Sequence, residues 1–355
     1  MLSIEQIRRE PDQVRQALKS RGESDAVGEI LELDTQRRQA ISKGDELRSQ
    51  RNQVSRQIGQ LRSSGQEASP EVIDEMRQVG DNISQLEHQV KDLDDRTNAI
   101  LMGLPNLPLP DTLMGLTEEE NTVARHWGEP KTFDFTPKPH WELGEELGII
   151  DFQRGVKLSG SRFYTMSGHG AKLERATIAW MLDLHTQKHG YTELMLPLMV
   201  RREIMEGSGN LPKFAENLYH DDEDDLWLIP TAEVPITNLY RDEILPPDSL
   251  PMCFVAQTTC FRREKTAAGR DTRGIKRVHQ FNKVEMYKFV DPATSDAELA
   301  TLVADAEDVC QQLGLAYRIL ELCRGDMSFP SAQSFDVEVW AAGCEEWLEV
   351  SSCSN

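Results

Sequence analysis

From Val72 to Leu104 the chain reads VIDEMRQVGDNISQLEHQVKDLDDRTNAILMGL. Val72, Met76, Val79, Ile83, Leu86, Val90, Leu93, Thr97, Ile100 and Leu104 recur there in alternating steps of four and three, the seam of a coiled-coil helix. Upstream, Leu33, Ala40, Leu47, Val54 and Leu61 recur every seven residues, although the partner positions Arg37, Gly44 and Arg51 are not apolar. The polar break Ser63-Ser64-Gly65-Gln66-Glu67-Ala68-Ser69-Pro70 separates the two runs. Two helices of about thirty residues joined by so short a turn bury their seams only against each other. The spacing therefore predicts an antiparallel coiled-coil hairpin over residues 28–104, on the order of 45 Å long. Pro105, Pro108 and Pro110 end it and mark residues 105–115 as a Pro-rich linker.

At 355 residues the chain exceeds what one core usually serves, so a second domain follows the hairpin. Its 39 Lys and Arg stand against 60 Asp and Glu, a net charge of -21, which disfavours unspecific binding to nucleic acid or to an anionic membrane. A polyanionic partner then needs a local basic patch. The first lies on the hairpin, where Arg37, Arg38, Lys43, Arg48, Arg51, Arg56 and Arg62 face only Asp45 and Glu46, a local +5 over residues 35–62. Residues 71–95 carry -6. These charges can simply pair across the coil, the simpler reading; the functional one is a basic stripe along a phosphate backbone. The six cysteines form no C-x-x-C pair and no zinc set with histidine, so they read as reduced thiols. No long apolar run or signal segment is present, which predicts a soluble, cytoplasmic protein.

After the linker the pattern becomes α+β. Leu173, Ala176, Ile178, Ala179, Met181, Leu182 and Leu184 predict a helix over residues 171–188, stopped at Gly190. Short strand-like runs follow at 226–229, 252–255, 283–289 and 335–340, with a further apparent helix over 234–245. Few helices alternate with these strands, so an antiparallel sheet fits better than a doubly wound one.

A second basic island interrupts the strands. Arg262, Arg263, Lys265, Arg270, Arg273, Lys276 and Arg277 face only Glu264 and Asp271, again a local +5. Lying between two strand-like runs, its arginine forks can address phosphate and carboxylate bidentately. We read an anion-handling site here, not a decorative loop.

Phe261-Arg262-Arg263-Glu264, the loop, and His279, Phe281 and Glu285 beyond it resemble motif 2 of the class II aminoacyl-tRNA synthetases, and residues 190–197 resemble their motif 1. With Thr231-Ala232-Glu233, Ala268-Gly269-Arg270-Asp271-Thr272-Arg273-Gly274 and the final residues 349–355, the whole chain is similar to the seryl-tRNA synthetases, whose N-terminal coiled coil binds tRNA. The resemblance implies an N-terminal tRNA-binding domain over residues 1–104 and a class II catalytic domain over 116–355, with an antiparallel sheet flanked by helices. It also implies a two-step ligase: serine and ATP give seryl-adenylate, and the seryl group passes to the 3′ end of tRNA(Ser), with tRNA(Sec) a second acceptor left open.

The resemblance assigns roles by position. Arg262 and Glu285 are the catalytic pair, and Thr231, Ala232, Glu233, Arg262 and Glu285 form the serine site. Arg262, Arg263, Glu264, Val278, Phe281, Glu349, Val350, Ser351 and Ser352 form the ATP site. Arg262 would span the α-phosphate and the serine carboxylate, Glu264 would face the adenine amino group, and Phe281 would stack on the purine. Phe281 by itself, without the Arg262 context, reads more readily as a core aromatic. Glu349 and Ser352 would hold Mg²⁺, and since residues three apart in a regular strand face opposite ways, the pair requires a bend or bulge near Ser351. Arg37, Arg38, Lys43, Arg48, Arg51 and Arg56 would grip the tRNA, and the motif 1 helix and strand would form a homodimer. The family continues past Asn355 into motif 3, so the catalytic domain is expected to be C-terminally incomplete, with an exposed sheet edge and doubtful activity. A class II ligase for threonine or proline, a non-catalytic tRNA- or protein-binding paralogue and a purely structural coiled-coil protein are the competing readings; the last leaves the second basic island without a purpose.

Overall fold

The computed structural model describes residues 2–65, 67–265 and 273–355, so Ala268, Gly269, Arg270, Asp271 and Thr272 of the basic loop lie outside the described residues. The chain divides into two units, Met1–Leu107 and Pro108–Asn355. The segment 105–115 is thus shared between them. From Pro108 on it is strapped to the second unit: Arg324 donates from Nη2 to Pro110 O (2.8 Å) and from Nε to Thr112 O (3.1 Å).

The first unit contains α1 (Ile4–Arg9), α2 (Pro11–Ser20), α3 (Val27–Ser63) and α4 (Pro70–Met102). Helix α4 starts where Ser69 Oγ accepts the Val72 N–H, with Pro70 in the first turn where a missing donor costs nothing. Arg37 pairs with Asp94, and Arg48 with Glu87, so α3 and α4 run antiparallel. Their seam buries Leu33 and Ala40 opposite Val79, Ile83, Leu93 and Thr97. Helices α1 and α2 had no reading of their own, yet Ile7, Val14 and Leu18 join Val27, Ile30, Leu101 and Leu104 in one core at the base. Each fully buried aliphatic there contributes roughly 1.5–3 kcal/mol. Toward the turn the packing thins, and Leu61 and Ile73 are exposed, since a two-helix coil has no third layer to cover them.

The second unit runs β1 (Thr122–Trp127), α5 (His140–Glu146), β2 (Ile150–Asp151), α6 (Phe152–Ser159), β3 (Thr165–Met166), α7 (His169–Gln187), β4 (Thr192–Leu194), β5 (Met199–Arg201), α8 (Arg202–Gly207), β6 (His220–Asp221), β7 (Leu226–Leu228), α9 (Glu233–Thr237), β8 (Met252–Phe261), β9 (Gln280–Phe289), α10 (Ser295–Gln312), β10 (Tyr317–Glu321), β11 (Ser334–Ala341) and β12 (Glu346–Ser354). Two sheets carry the site. One has the order β4-β8-β9, with β8 and β9 a long antiparallel hairpin and β4 parallel to β8; the other has the order β1-β10-β11-β12, antiparallel throughout. Helix α10 packs Leu299, Val303, Ala306 and Cys310 against Tyr317, Ile319, Val337 and Cys353 of the second sheet, and Met286 of β9 joins the same core. Strands β9 and β12 each close their sheet as an edge.

The helix expected over residues 234–245 is corrected to the five residues of α9. Asn238 ends it by giving its amide to Val234 O (2.9 Å) and Ile204 O (3.0 Å), a side chain competing with the backbone it would otherwise continue. No helix among the described residues is long and apolar enough to cross a membrane.

Candidate active site

The hairpin β8–β9 sets the site by strand alternation. Phe281, Lys283 and Glu285 share one face of β9, opposite Cys260, Thr258 and Ala256 of β8, small side chains that are buried and leave room above them. Thr231, just before α9, binds this face. Its hydroxyl donates to Glu285 Oε2 (2.6 Å) and accepts from Lys283 Nζ (2.8 Å) and from the Glu233 N–H (3.2 Å). Lys283 also pairs directly with Glu285. Glu233 stands beside them, its carboxyl held above the ordinary carboxylate range by burial and then by Glu285, with Lys283 and Arg262 opposing. Thr231 and Ala232 are buried.

Arg262 follows the end of β8. Its backbone N–H donates to His279 O and His279 Nδ1–H returns a bond to Arg262 O, both at 2.9 Å, so the two stems of the basic loop are clasped. The guanidinium lies 5.1 Å from the Phe281 ring centre, and Nε reaches Pro230 O at 3.3 Å. Arg263 points elsewhere: it donates to Leu218 O (2.7 Å) and covers the Tyr219 ring at 4.5 Å. Glu264 has φ +49°, an uncommon backbone for a residue with a side chain, and its carboxylate meets Arg277 at 3.5 Å. Val278 is buried. Phe281 also borders a cavity of about 320 Å³ with Leu158, Phe163, Tyr164 and Glu174, within the size range of small-molecule pockets.

On the second sheet, Ser352 faces Asp336, Ser351 faces Val337 and Glu349 faces Glu338, leaving Val350 as the extra residue of a β-bulge. The bulge is where the Glu349 and Ser352 spacing requires it. It turns Glu349 and Ser352 to the face of Asp336 and Glu338, while Ser351 lies opposite core residue Val337 and Val350 is exposed. Asp336 Oδ1 is buried with no hydrogen-bond partner among the described residues. Burial first, then Glu349, pushes the Asp336 carboxyl up to about 7. A hard cation suits such donors, and the orphaned oxygen is the feature that fits one. No group of three or more His, Cys, Asp or Glu gathers for a metal among the described residues, so any cation here draws further oxygens from what it accompanies.

The structure thus brings Arg262, Glu233 and Glu285 together and places Glu349 on the adjacent sheet. The loop stem leading into β9 is tied to the second sheet by the pairing of Lys276 with Glu346 at the start of β12. Lys283 was absent from the expected site; its only signal was that it shares strand parity with Phe281 and Glu285.

In the first unit the basic stripe is divided. Arg37 pairs with Asp94, Arg38 with Asp34 (3.0 Å), and Arg48 with Asp45 (2.7 Å) and Glu87 (2.9 Å). Lys43, Arg51 and Arg56 make no ion pair among the described residues, so pairing across the coil explains only part of the stripe.

Residues 1–108 match the seryl-tRNA synthetase N-terminal domain, and residues 214–355 match the class II tRNA synthetase core domain (G, H, P, S and T). The whole chain is 58% identical to a serine–tRNA ligase of Thermomicrobium roseum, covering 79% of that relative. Among solved structures it is similar to seryl-tRNA synthetase from Pyrococcus horikoshii complexed with ATP (TM-score 0.92, 35% identity, all of this chain and 84% of that one). It is also similar to the cytoplasmic serine–tRNA ligase of Naegleria fowleri in complex with AMP (TM-score 0.87, 26% identity, all of this chain and 83% of that one).

Proposed function

Because the chain belongs to the seryl-tRNA synthetase family of class II aminoacyl-tRNA synthetases, we propose that it activates L-serine with ATP and esterifies tRNA(Ser), with tRNA(Sec) as a further acceptor. The observation that carries this reading is that the Glu233 carboxyl feels the charges of Glu285, Lys283 and Arg262 together, while the Thr231 hydroxyl bonds Glu285 and Lys283 beside it.

In the first step a serine carboxylate oxygen attacks the α-phosphorus of ATP and pyrophosphate leaves. Arg262 neutralises the negative charge that accumulates there, a contribution that grows in a dry site with a fixed donor. Glu233 and Glu285 repel each other in the free protein, and a substrate ammonium placed between them relieves that repulsion. Glu285, Lys283 and Thr231 supply acceptor and donor positions for a small hydroxyl, a site that rejects alanine by leaving its own polar groups unpaired. Phe281, already faced by Arg262, offers its ring to the purine, and Glu264 its carboxylate to the adenine amino group. Glu349 and Ser352, with Asp336 beside them, would hold Mg²⁺. When bound, the ion would neutralise phosphate charge.

In the second step the terminal ribose hydroxyl of tRNA attacks the seryl carbonyl, AMP leaves and the hydroxyl proton is released. Lys43, Arg51 and Arg56 are among the cations of the hairpin with charge to spare for the tRNA backbone. Exposed Leu173 on α7 and Met195 beyond β4 support a homodimer through this helix and strand, and six free cysteines suit a reducing cytoplasm. ATP–pyrophosphate exchange over serine, threonine, proline and alanine tests the reading. Serine-dependent exchange is expected, and exchange driven by another amino acid refutes it.

A further inference from the structure

The basic loop meets the rest of the second unit through two stems anchored at different places. On the N-terminal stem, the Arg263 N–H donates to Asn217 O (2.9 Å) and the Lys265 N–H to Asn217 Oδ1 (3.0 Å). The C-terminal stem is held instead by the first turn of α5. The Ile275 N–H donates to His140 Nε2 at 2.8 Å. Gly274, with φ +71°, lies so close that a Cβ there would collide with His140 Nε2 and Trp141. His140 packs edge-on against Trp141 (5.0 Å between ring centres, 77°), and Lys276 reaches over the same indole at 5.7 Å while pairing with Glu346 of β12.

We propose that His140 is a positioning residue for the nucleotide side of the site: its unprotonated Nε2 latches Ile275 and thereby sets Lys276, Arg277 and Val278 between Glu264 and β12. An imidazole held by a backbone N–H must present a lone pair, and the surroundings keep it neutral. Burial first, then Lys276, lowers its affinity for a proton, with Glu346 opposing. The consequence is confined to one substrate. Arg277 meets Glu264, and Phe281 lies three residues beyond Val278 under Arg262, so displacing the stem displaces the groups read as facing ATP. The serine side is braced independently, since Thr231, Lys283, Glu285 and Glu233 bond one another without using residues 273–278.

This inference rests on the ATP reading of the loop given above, and the experiment separates the two. Hydrogen exchange of peptides spanning 273–279 and calorimetric titration with ATP and with serine are measured on the full chain and on His140→Ala and His140→Gln. Glutamine at this position offers an acceptor at about the reach of Nε2. Faster exchange and ATP binding weakened on the order of tenfold are expected for His140→Ala. Its serine affinity should be unchanged, and His140→Gln should restore both properties to within about twofold. Equal weakening of ATP and serine, unaltered exchange in His140→Ala, or no rescue by glutamine overturns the proposal. Should the unsubstituted chain bind no ATP, the nucleotide reading fails, while the latch itself is still judged by the exchange rates. Should His140→Ala not fold, the glutamine variant and the protection of the 273–279 amides in the unsubstituted chain decide the matter: slow exchange supports the latch and rapid exchange refutes it.

Discussion

Thr231 gives its hydroxyl hydrogen to Glu285 Oε2 at 2.6 Å and takes one from Lys283 Nζ at 2.8 Å, so a side-chain hydroxyl organises the residues assigned to receive a hydroxylated substrate. Replacing it by valine keeps the shape and removes these two bonds together with the one accepted from the Glu233 N–H. Thr231→Val should raise the KM for serine on the order of tenfold and leave the KM for ATP within about twofold, as read in pyrophosphate exchange. Equal changes in both would mean that Thr231 only supports the fold.

Arg262 and Arg263 are neighbours with opposite directions, one beside Phe281 and the other fixed to Leu218 O and Tyr219. Arg262→Lys retains charge and loses the planar fork, and kcat for adenylate formation should fall by about 10²–10³. Arg263→Lys, measured in the same assay, should fall by no more than about threefold. Similar losses in both would erase the distinction.

On the hairpin, Arg51 and Arg56 carry charge not committed to an ion pair among the described residues, whereas Arg37 is engaged by Asp94. Arg51→Glu with Arg56→Glu should weaken tRNA(Ser) binding, flatten its salt dependence by one to two in the log–log slope, and spare pyrophosphate exchange. Arg37→Ala should instead lower the melting temperature more than it lowers tRNA affinity. Filter binding at several salt concentrations and calorimetric melting separate the two.

Beneath the sheet His185 is buried, its Nδ1 2.9 Å from that of His189, whose Nε2 faces Asp308 at 3.0 Å. Burial first, then His189, pushes His185 down to about 4, against Asp305 and Asp308. In the unfolded chain it titrates near its ordinary value of about 6.5. Between these values the unfolded state binds a proton that the native state refuses, so the contribution of His185 to stability is complete above pH 6.5 and declines as pH falls, by as much as ~3 kcal/mol at pH 4. Because the Asp336 carboxyl, raised to about 7, acts in the opposite sense over the same range, the His185 contribution is read as the difference between the unsubstituted chain and His185→Gln in urea unfolding from pH 4 to 7: the variant should lose less stability, or gain more, as pH falls.

Local periodicity made the hairpin legible, because the seam residues from Val72 to Ile100 repeat along one helix, α4. An irregularity in β12 was legible for a different reason: given the pairing of Glu349 with Ser352 that the family resemblance implies, the two cannot share a face without a bend or a bulge, and the strand takes the bulge. What escaped was non-local. Lys283 looks like any solvent-facing strand lysine until Thr231 is brought across from another segment. His140 precedes Ile275 by more than a hundred residues, and nothing near either signals the bond. The helix expected over 234–245 is cut short at α9 because the side chain that stops it, Asn238, acts through Ile204 of α8.

The central claim is that one site on β8, β9 and α9 takes both a nucleotide and a small hydroxylated amino acid. Calorimetric titration of the chain with a non-hydrolysable seryl-adenylate analogue, beside its alanyl counterpart, tests this most directly. One-to-one binding of the seryl compound, at least about a hundredfold tighter than the alanyl one and abolished by Glu285→Ala, is the predicted result. Equal affinity for both compounds, or binding indifferent to Glu285, would contradict the account.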